Sequence, residues 1–240
     1  MKENITMIMY SHSSYSDVWA PFFNQSEKFT PEYKKILFSD DDLGKTPHNW
    51  DFIQYEESDS YSDRMYKCLE KIETDLCFLH HEDMFLYAAP DKELLSIYEN
   101  IVLNEDIDFI RLLRSVDIPS FRYRGIETLS PVPSHSQYFF SVQPTICKTK
   151  SLLRIYQNTK IDHIRQFEPH VQQVCRDLKI KGLFHYNQEP KRGDHHYDSS
   201  VYPYIATAIV KGQWNLSGYP EELGNILIKN NINADKRGKV

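Results

Sequence analysis

The most restrictive feature of this sequence is a short strand-like segment that is apolar at every position. Residues 76–79 read Leu-Cys-Phe-Leu and are followed at once by His80, His81, Glu82 and Asp83. A strand that is apolar on both faces is typical of the centre of a parallel sheet, where helices cover both sides. The polar residues that follow indicate that this strand ends at a surface where side chains can bind a ligand.

Short apolar segments and amphipathic segments alternate through the first 110 residues. Strand-like segments lie at residues 4–10, 35–38, 51–55, 76–79 and 108–112. Stretches with helical periodicity lie between several of them, and alternating strands and helices predict an α/β fold with a mostly parallel central sheet. We expect helices to flank that sheet and a C-terminal extension of helices and loops to follow it.

The second half of the sequence predicts further elements of the same domain. We expect an extended segment at 138–147, a helix at 164–178, a last strand at 180–186, and short helices near 203–211 and 220–229. Pro169 fits only the first turn of its helix, where a missing backbone N–H does no harm. A chain of 240 residues fits one domain.

The composition excludes several classes of function. Lys and Arg number 28 and Asp and Glu 34, which gives a net charge of −6. An acidic chain without a basic block is unsuited to nucleic acid, and the sequence contains neither G-x-G-x-x-G nor a P-loop signature. No apolar run approaches the roughly 20 residues of a membrane span, so we expect no transmembrane segment, with contact at a membrane surface left open. Four widely spaced cysteines predict free thiols in a reducing cytoplasm.

Polar side chains follow three of the predicted strands. Ser11 follows the first strand, residues 40–42 are three Asp after the second, and Glu82 and Asp83 follow the fourth. In open α/β sheets, ligands bind beyond the carboxyl ends of the strands. Crowded carboxylates repel one another unless they share a cation, and Mg²⁺ or Mn²⁺ takes oxygen ligands and bridges phosphates. The pattern favours a cation and phosphate site, with solvated loop acids as the alternative.

In their order, these segments resemble the glycosyltransferases of the GT-A fold, closest to the family 2 type. Residues 35–41 resemble the strand and acidic turn that hold the nucleotide base, and residues 61–65 resemble a helix opening that carries an Arg, here Arg64. Residues 76–83 resemble the strand that ends in an Asp-x-Asp motif, with Glu82 at the second acid. The departure is a His in place of the first Asp, and imidazole ligates Mn²⁺ but suits Mg²⁺ poorly.

The resemblance implies an enzyme that moves a sugar from a nucleotide-diphosphate donor to a hydroxyl of a glycan or glycolipid acceptor. Residues 1–113 would be the donor-binding half, and residues 114–240 the acceptor half with the C-terminal helices, in one domain. The expected donor-binding residues are Ser11, Asp40, Arg64, His81 and Arg192. The expected ligands of a divalent cation, Mn²⁺ or Mg²⁺, are Glu82, Asp83 and His195.

The catalytic base is expected in the second half. Residues 166–168, Gln-Phe-Glu, resemble the aromatic-Glu element whose Glu is the base in inverting members of the family. The resemblance therefore implies that Glu168 is the catalytic residue and that the enzyme inverts. Pro169 follows where many relatives have Asp. The alternative is that Glu168 is an acid in the first turn of a helix, where the helix dipole favours it.

Two other classes of function remain open. A metal-dependent hydrolase would use the His-rich segments: His80, His81, Glu82, Asp83, His195 and His196. Adjacent residues of a strand face opposite sides, however, so the first two histidines cannot easily share one ion. A non-catalytic module that binds sugar nucleotides or glycans would retain the fold without the chemistry.

Overall fold

A mixed eight-stranded sheet forms the centre of the fold in the described residues. The structure is a computed structural model that describes residues 2–192 and 196–240. The sheet strands are β1 (Lys2–Tyr10), β2 (Tyr33–Ser39), β3 (Asp51–Gln54), β4 (Leu76–His81), β5 (Phe109–Arg111), β6 (Leu129–Pro131), β7 (Thr145–Lys148) and β8 (Gly182–His185). Their order is β3-β2-β1-β4-β7-β5-β8-β6. Strands β3, β2, β1 and β4 are parallel, as are β5 and β8, whereas β7 and β6 run antiparallel to their neighbours.

Six α-helices and two hairpins complete the fold of the described residues. The helices are α1 (Trp19–Phe29), α2 (Tyr61–Leu69), α3 (Lys92–Asn104), α4 (Thr149–Asn158), α5 (Phe167–Asp177) and α6 (Pro220–Lys229). The hairpins pair β9 (Lys191–Arg192) with β10 (His196–Tyr197), and β11 (Ile209–Val210) with β12 (Gln213–Trp214). The predicted α/β fold with a mostly parallel central sheet and flanking helices is confirmed. Of the helices in the described residues, none combines the length and the hydropathy needed to cross a bilayer.

Strand β4 owes its uniformly apolar sequence to its position. It lies between β1 and β7, so both of its edges are paired, and all six of its residues are buried. One face of the sheet is covered by a core that includes residues of α2, α4 and α5, and another core packs residues of α3 against the sheet. A third apolar cluster joins α1 and α6. The ends of β1 and β4 lie side by side, because Tyr10 pairs with His81.

The prediction of a helix near residues 203–211 is wrong. Residues 203–208 have no helix, and β11 begins at Ile209. Apolar side chains in this segment, such as Ile205 and Ala208, are buried in the third apolar cluster, with α1 and α6. The sequence of this irregular segment therefore resembles that of an amphipathic helix. By contrast, Pro169 is the third residue of α5, so its predicted place in the first turn is confirmed.

Glycine at position 182 permits a close approach inside the sheet. Gly182 opens β8 and pairs with Phe109 of β5. A Cβ at this position would overlap the ring of Phe109. That ring in turn meets the rings of Phe139 and Phe140 edge-on, at centroid distances of 5.6 and 5.1 Å. A side chain at position 182 would therefore displace an aromatic cluster.

Candidate functional site

A cavity of 870 Å³ opens where β1 and β4 end. Its walls come from those two strand ends, from the first turn of α2, from residues 162–166 before α5, and from the hairpin β11–β12. The first and second halves of the chain both line it. Of the predicted site residues, the cavity brings together Ser11, Arg64, His81, Glu82 and Asp83.

Asp40 lies behind the cavity rim and fixes the loop after β1. Its carboxylate accepts hydrogen bonds from the Ser13 backbone N–H (2.6 Å), the Ser13 hydroxyl (2.6 Å) and the Ser39 hydroxyl (3.0 Å). Partial burial opposes ionisation, but these hydrogen bonds outweigh it and lower the pKa of Asp40. The carboxylate is 3.8 Å from Nε2 of His12, which does line the cavity. Asp40 therefore shapes the loop that borders the cavity.

Arg64 is held in the cavity wall by backbone atoms. Its Nε donates to the carbonyl of Asp59 at 2.9 Å, and another guanidinium nitrogen donates to the carbonyl of Glu57. The guanidinium lies 5.2 Å from the ring centre of Tyr55, which stacks on Tyr10. No carboxylate in the described part of the chain forms an ion pair with Arg64, so its charge is not neutralised.

Glu82 and Asp83 place two carboxyl groups side by side at the end of β4. Desolvation raises the pKa of Glu82 to about 8, and repulsion from Asp83 adds to the shift. Desolvation also raises the pKa of Asp83 to about 6, although a hydrogen bond from the Ile209 N–H opposes it. The backbone carbonyl of Asp83 accepts a hydrogen bond from the Ala208 N–H. Asp83 therefore also anchors the irregular segment that leads to hairpin β11–β12.

This acidic pair fits a divalent cation only in part. Two crowded, desolvated carboxyls are a suitable oxygen donor set for Mg²⁺ or Mn²⁺, which commonly complete their shell with water and substrate phosphates. Among residues 2–192 and 196–240, however, three ligand atoms of His, Asp or Glu converge within 4.8 Å only at His12, Asp40 and Glu57. The predicted ligand His195 lies outside the described residues. Any cation at Glu82 and Asp83 would therefore depend on ligand oxygens.

The two histidines of β4 differ in their surroundings. His80 is fully buried: its Nδ1 is 3.1 Å from the carbonyl of Phe78 and its Nε2 is 2.9 Å from the hydroxyl of Tyr202. His81 lines the cavity and is 7% exposed, and its Nε2 has no hydrogen-bond partner among the residues that the structure describes. Desolvation lowers the pKa of His80 to about 3 and that of His81 to about 4, so both rings are neutral at pH 7.

Two predicted residues lie elsewhere. Glu168 lines a second cavity of 210 Å³, where one carboxylate oxygen accepts the backbone N–H of Val142 at 2.9 Å. Arg192 lines neither cavity. Its guanidinium donates to Asp198 at 3.0 and 3.1 Å and to Glu222 at 2.9 Å. The positive charge of Arg192 is thus neutralised by its own chain.

The sequence analysis missed two cations that line the large cavity. Arg165 lies in the short 3₁₀ helix before α5, and Lys211 lies at the tip of hairpin β11–β12. Lys211 and Gly212 have φ of 51° and 81°, as the central residues of a tight hairpin turn require. The dipeptide Lys-Gly directly after two apolar residues is a turn signal that could have located Lys211. Nothing local marks Arg165 as a binding residue.

The strand order, the flanking helices and the cavity at the strand ends define a GT-A-like α/β fold. Two solved structures of S. aureus TarS 1–349 are similar to this chain. One has a TM-score of 0.50 at 13% identity, with 97% of this chain and 66% of TarS covered. The other, a complex with UDP-GlcNAc, has a TM-score of 0.51 at 12% identity, with 78% and 60% covered.

A third similar structure is CMP:2-keto-3-deoxy-manno-octonic acid synthetase in complex with CTP. Its TM-score is 0.51 at 11% identity, and the alignment covers 76% of this chain and 89% of the synthetase. No family model and no curated protein matches the chain. At these identities, the likenesses show a shared fold. The predicted GT-A fold is therefore confirmed, while the closer resemblance to family 2 stays a prediction.

Proposed function

We propose that this protein binds a nucleotide-diphosphate sugar in the large cavity and transfers the sugar to a hydroxyl of a glycan or glycolipid acceptor. The proposal depends on three cations that line the cavity from separate elements: Arg64 in α2, Arg165 before α5 and Lys211 in hairpin β11–β12. None of the three forms an ion pair with a described residue. Uncompensated cations around a cleft attract an anionic ligand, and guanidinium groups match phosphate geometry.

The similar structures support a nucleotide as the ligand. TarS was solved with UDP-GlcNAc, and the synthetase was solved with CTP. Both ligands carry phosphates attached to a nucleoside, which is the chemistry that three unpaired cations would recognise. The choice of glycosyl transfer over nucleotidyl transfer depends on Glu168, because an acceptor hydroxyl needs a base to take its proton.

In this proposal, different residues would bind the diphosphate, position the donor and take the proton of the acceptor. Arg64, Arg165 and Lys211 would bind the diphosphate and stabilise its negative charge as it leaves. His81 would use its unpartnered Nε2 to position a donor group, and Glu168 would accept the proton of the attacking hydroxyl, giving inversion. A divalent cation, Mn²⁺ or Mg²⁺, held by Glu82 and Asp83 would add positive charge beside the diphosphate.

A thermal-shift screen of UDP, GDP, CMP and dTDP sugars, with and without Mn²⁺, tests this proposal. We expect one nucleotide to raise the melting temperature, because a ligand that binds only the folded state stabilises it. Arg165→Ala and Lys211→Ala should each weaken that shift. Lys150→Ala is the matched control, because Lys150 is exposed on α4 and lines neither cavity.

Three results would contradict the proposal. The first is the absence of a shift with every nucleotide. The second is an equal shift in the cavity variants and the control. The third is nucleotide binding without consumption of the sugar donor in the presence of a glycan array, which would indicate a binding module without catalysis.

A further inference from the structure

The second cavity differs in chemical character from the large one beside it. All of its lining residues except Val116 have polar side chains, and four of them carry hydroxyls: Ser115, Tyr138, Ser141 and Thr207. Glu168 is the one carboxylate, and within the described ranges neither Lys nor Arg lines the cavity. This lining is suited to a ligand with many hydroxyl groups and no phosphate.

Several polar groups in this cavity are left for a ligand. Gln143 accepts a hydrogen bond from the Tyr204 hydroxyl at 2.6 Å through its amide oxygen, which leaves its NH₂ group unused. The hydroxyls of Ser115 and Thr207 make no hydrogen bond with the described residues. Glu168 uses one oxygen for a backbone N–H and leaves the other free. Donors and acceptors are therefore mixed, as recognition of sugar hydroxyls requires.

A buried guanidinium lies behind one wall of the cavity. Arg111 is 1% exposed and donates to the carbonyl of Tyr138 at 2.7 Å and to the Ser141 hydroxyl at 3.2 Å, two residues that line the cavity. One of its terminal nitrogens is buried and has no hydrogen-bond partner in the described part of the chain. The guanidinium also interacts electrostatically with Glu168. A positive charge and an unused donor thus lie next to the cavity without entering it.

Two segments of the chain contribute residues to both cavities. The segment at the start of α5 contributes Gln166 to the large cavity and Glu168 to the second one. The segment leading into hairpin β11–β12 contributes Ile209 to the large cavity and Thr207 to the second one. In each segment, the residue that lines one cavity is two positions along the chain from the residue that lines the other. Ligands bound in the two cavities would therefore be neighbours across these two segments.

We propose that the second cavity binds one neutral sugar ring of the acceptor, with a hydroxyl directed at Glu168. A volume of 210 Å³ is smaller than the roughly 300–1,000 Å³ of pockets for drug-sized ligands, which limits the occupant to about one ring. This inference rests on the proposed glycosyl transfer. In that reaction the acceptor oxygen forms a bond to the anomeric carbon of the donor sugar. The bond from that carbon to the diphosphate oxygen breaks, and its electron pair leaves on the diphosphate. The proton of the acceptor hydroxyl passes to Glu168.

Saturation-transfer NMR with the full chain tests this inference. The probes are the methyl glycosides of glucose, galactose, mannose and N-acetylglucosamine, with the methyl glycoside of glucuronic acid as the charged comparison. We expect saturation of at least one neutral glycoside and none of the glucuronide, because a carboxylate would meet Glu168 without a lining cation. Pyrophosphate, which fits the cations of the large cavity, should leave the signal unchanged.

The variant for this test is the double substitution Ser115→Ala and Thr207→Val. It removes two unpartnered hydroxyls with little change in volume, and we expect about ten-fold weaker binding of the glycoside. Thr46→Val is the matched control, because the Thr46 hydroxyl is also unpartnered but lines neither cavity. Urea unfolding of each variant establishes that the fold is intact.

The outcomes separate this inference from the proposed function. Nucleotide binding without any glycoside signal would overturn the sugar subsite and leave the donor site standing. Glycoside binding that depends on Ser115 and Thr207, without nucleotide binding, would support the sugar subsite and overturn the donor site. Equal saturation of the glucuronide, or equal binding by the double variant and the control, would also overturn the inference.

Discussion

His80 and His81 are adjacent on β4, yet their side chains lie in different environments. The ring of His80 packs against Phe78 at a centroid distance of 4.3 Å and bonds to Tyr202, whereas the ring of His81 lies 5.4 Å from Tyr10 at the cavity. This division follows from the alternation of side chains along a strand. His80 is therefore packed in the core, whereas His81 is placed to contact a ligand in the cavity. The two side chains do not converge on one ion.

Substituting each histidine should therefore give opposite results. His80→Phe leaves the Tyr202 hydroxyl buried without a partner, which should lower the free energy of unfolding by about 1–3 kcal/mol. His81→Phe removes no hydrogen bond, so its unfolding free energy should stay within about 1 kcal/mol, while nucleotide affinity falls about ten-fold. Urea unfolding and calorimetric titration measure the two effects. A reversed pattern would contradict the assignment.

Glu82 should make the folded protein less stable as the pH rises. Its pKa in the fold, about 8, exceeds its ordinary value of 4.5. Between these values the folded chain binds more protons than the unfolded chain, so the free energy of unfolding falls with rising pH. Glu82→Gln should therefore exceed the native protein in stability by about 3–5 kcal/mol at about pH 9, and by only about 1 kcal/mol at about pH 5. Urea unfolding at both pH values checks this, and a pH-independent difference would refute it.

Glu168→Gln should separate binding from turnover. The amide oxygen of Gln can still accept the Val142 N–H, so the fold and donor affinity should be unchanged. The amide cannot take a proton from the acceptor, so the rate of sugar transfer should fall about 100- to 10,000-fold. Donor consumption and calorimetric donor binding measure the two quantities. Native turnover in this variant would remove Glu168 from the proposed mechanism.

A buried pair far from the proposed donor chemistry should control acid stability. Glu189 lies 2.7 Å from Nε2 of His185 and also accepts from Ser200. Burial opposes ionisation, but hydrogen bonding to His185 and Ser200 lowers the pKa of Glu189 to about 2. Its stabilisation is therefore present above the ordinary pKa of Glu and is lost as the pH falls towards 2.

Glu189→Gln tests this pair. The variant should be less stable than the native protein by about 3 kcal/mol at neutral pH, because it breaks a buried charged interaction. The deficit should shrink at about pH 3, because the carboxyl of the unfolded native chain is then protonated while that of the folded chain is still mostly ionised. Urea unfolding at the two pH values measures it. A deficit of the same size at both would show that packing, and not charge, explains the loss.

The parallel half of the sheet could be predicted from the sequence because its signals are local. A strand buried on both faces, such as β4, must be apolar throughout, and its polar end marks the site edge. Arg64 was predictable because residues 61–65 resemble the opening of a helix that carries an Arg, and α2 does begin there, with a Ser60 hydroxyl that accepts the Asp63 N–H. These patterns depend on neighbours a few residues apart.

The rest of the site depends on tertiary packing that no local pattern records. Arg192 carries a guanidinium group, which suits a phosphate ligand. Its charge is nevertheless neutralised by Asp198 and by Glu222, which is 30 residues away in the sequence. Lys211 is exposed at a hairpin tip, and it lines the cavity because Asp83, over 120 residues earlier, accepts a hydrogen bond from Ile209. The helix predicted near residue 205 failed because burial of an irregular segment imitates helical periodicity.

Gly182 is linked through a series of aromatic rings to the second cavity, the proposed site of the acceptor sugar. A methyl group there would push on Phe109, and that ring contacts Phe139 and Phe140, the residues that follow Tyr138 in the wall of the second cavity. A single carbon atom added in strand β8 could thus narrow or tilt the proposed sugar subsite while every side chain that lines it keeps its identity. Under the proposed function, acceptor preference would therefore be able to diverge through changes in the core, with the residues that line the second cavity held constant.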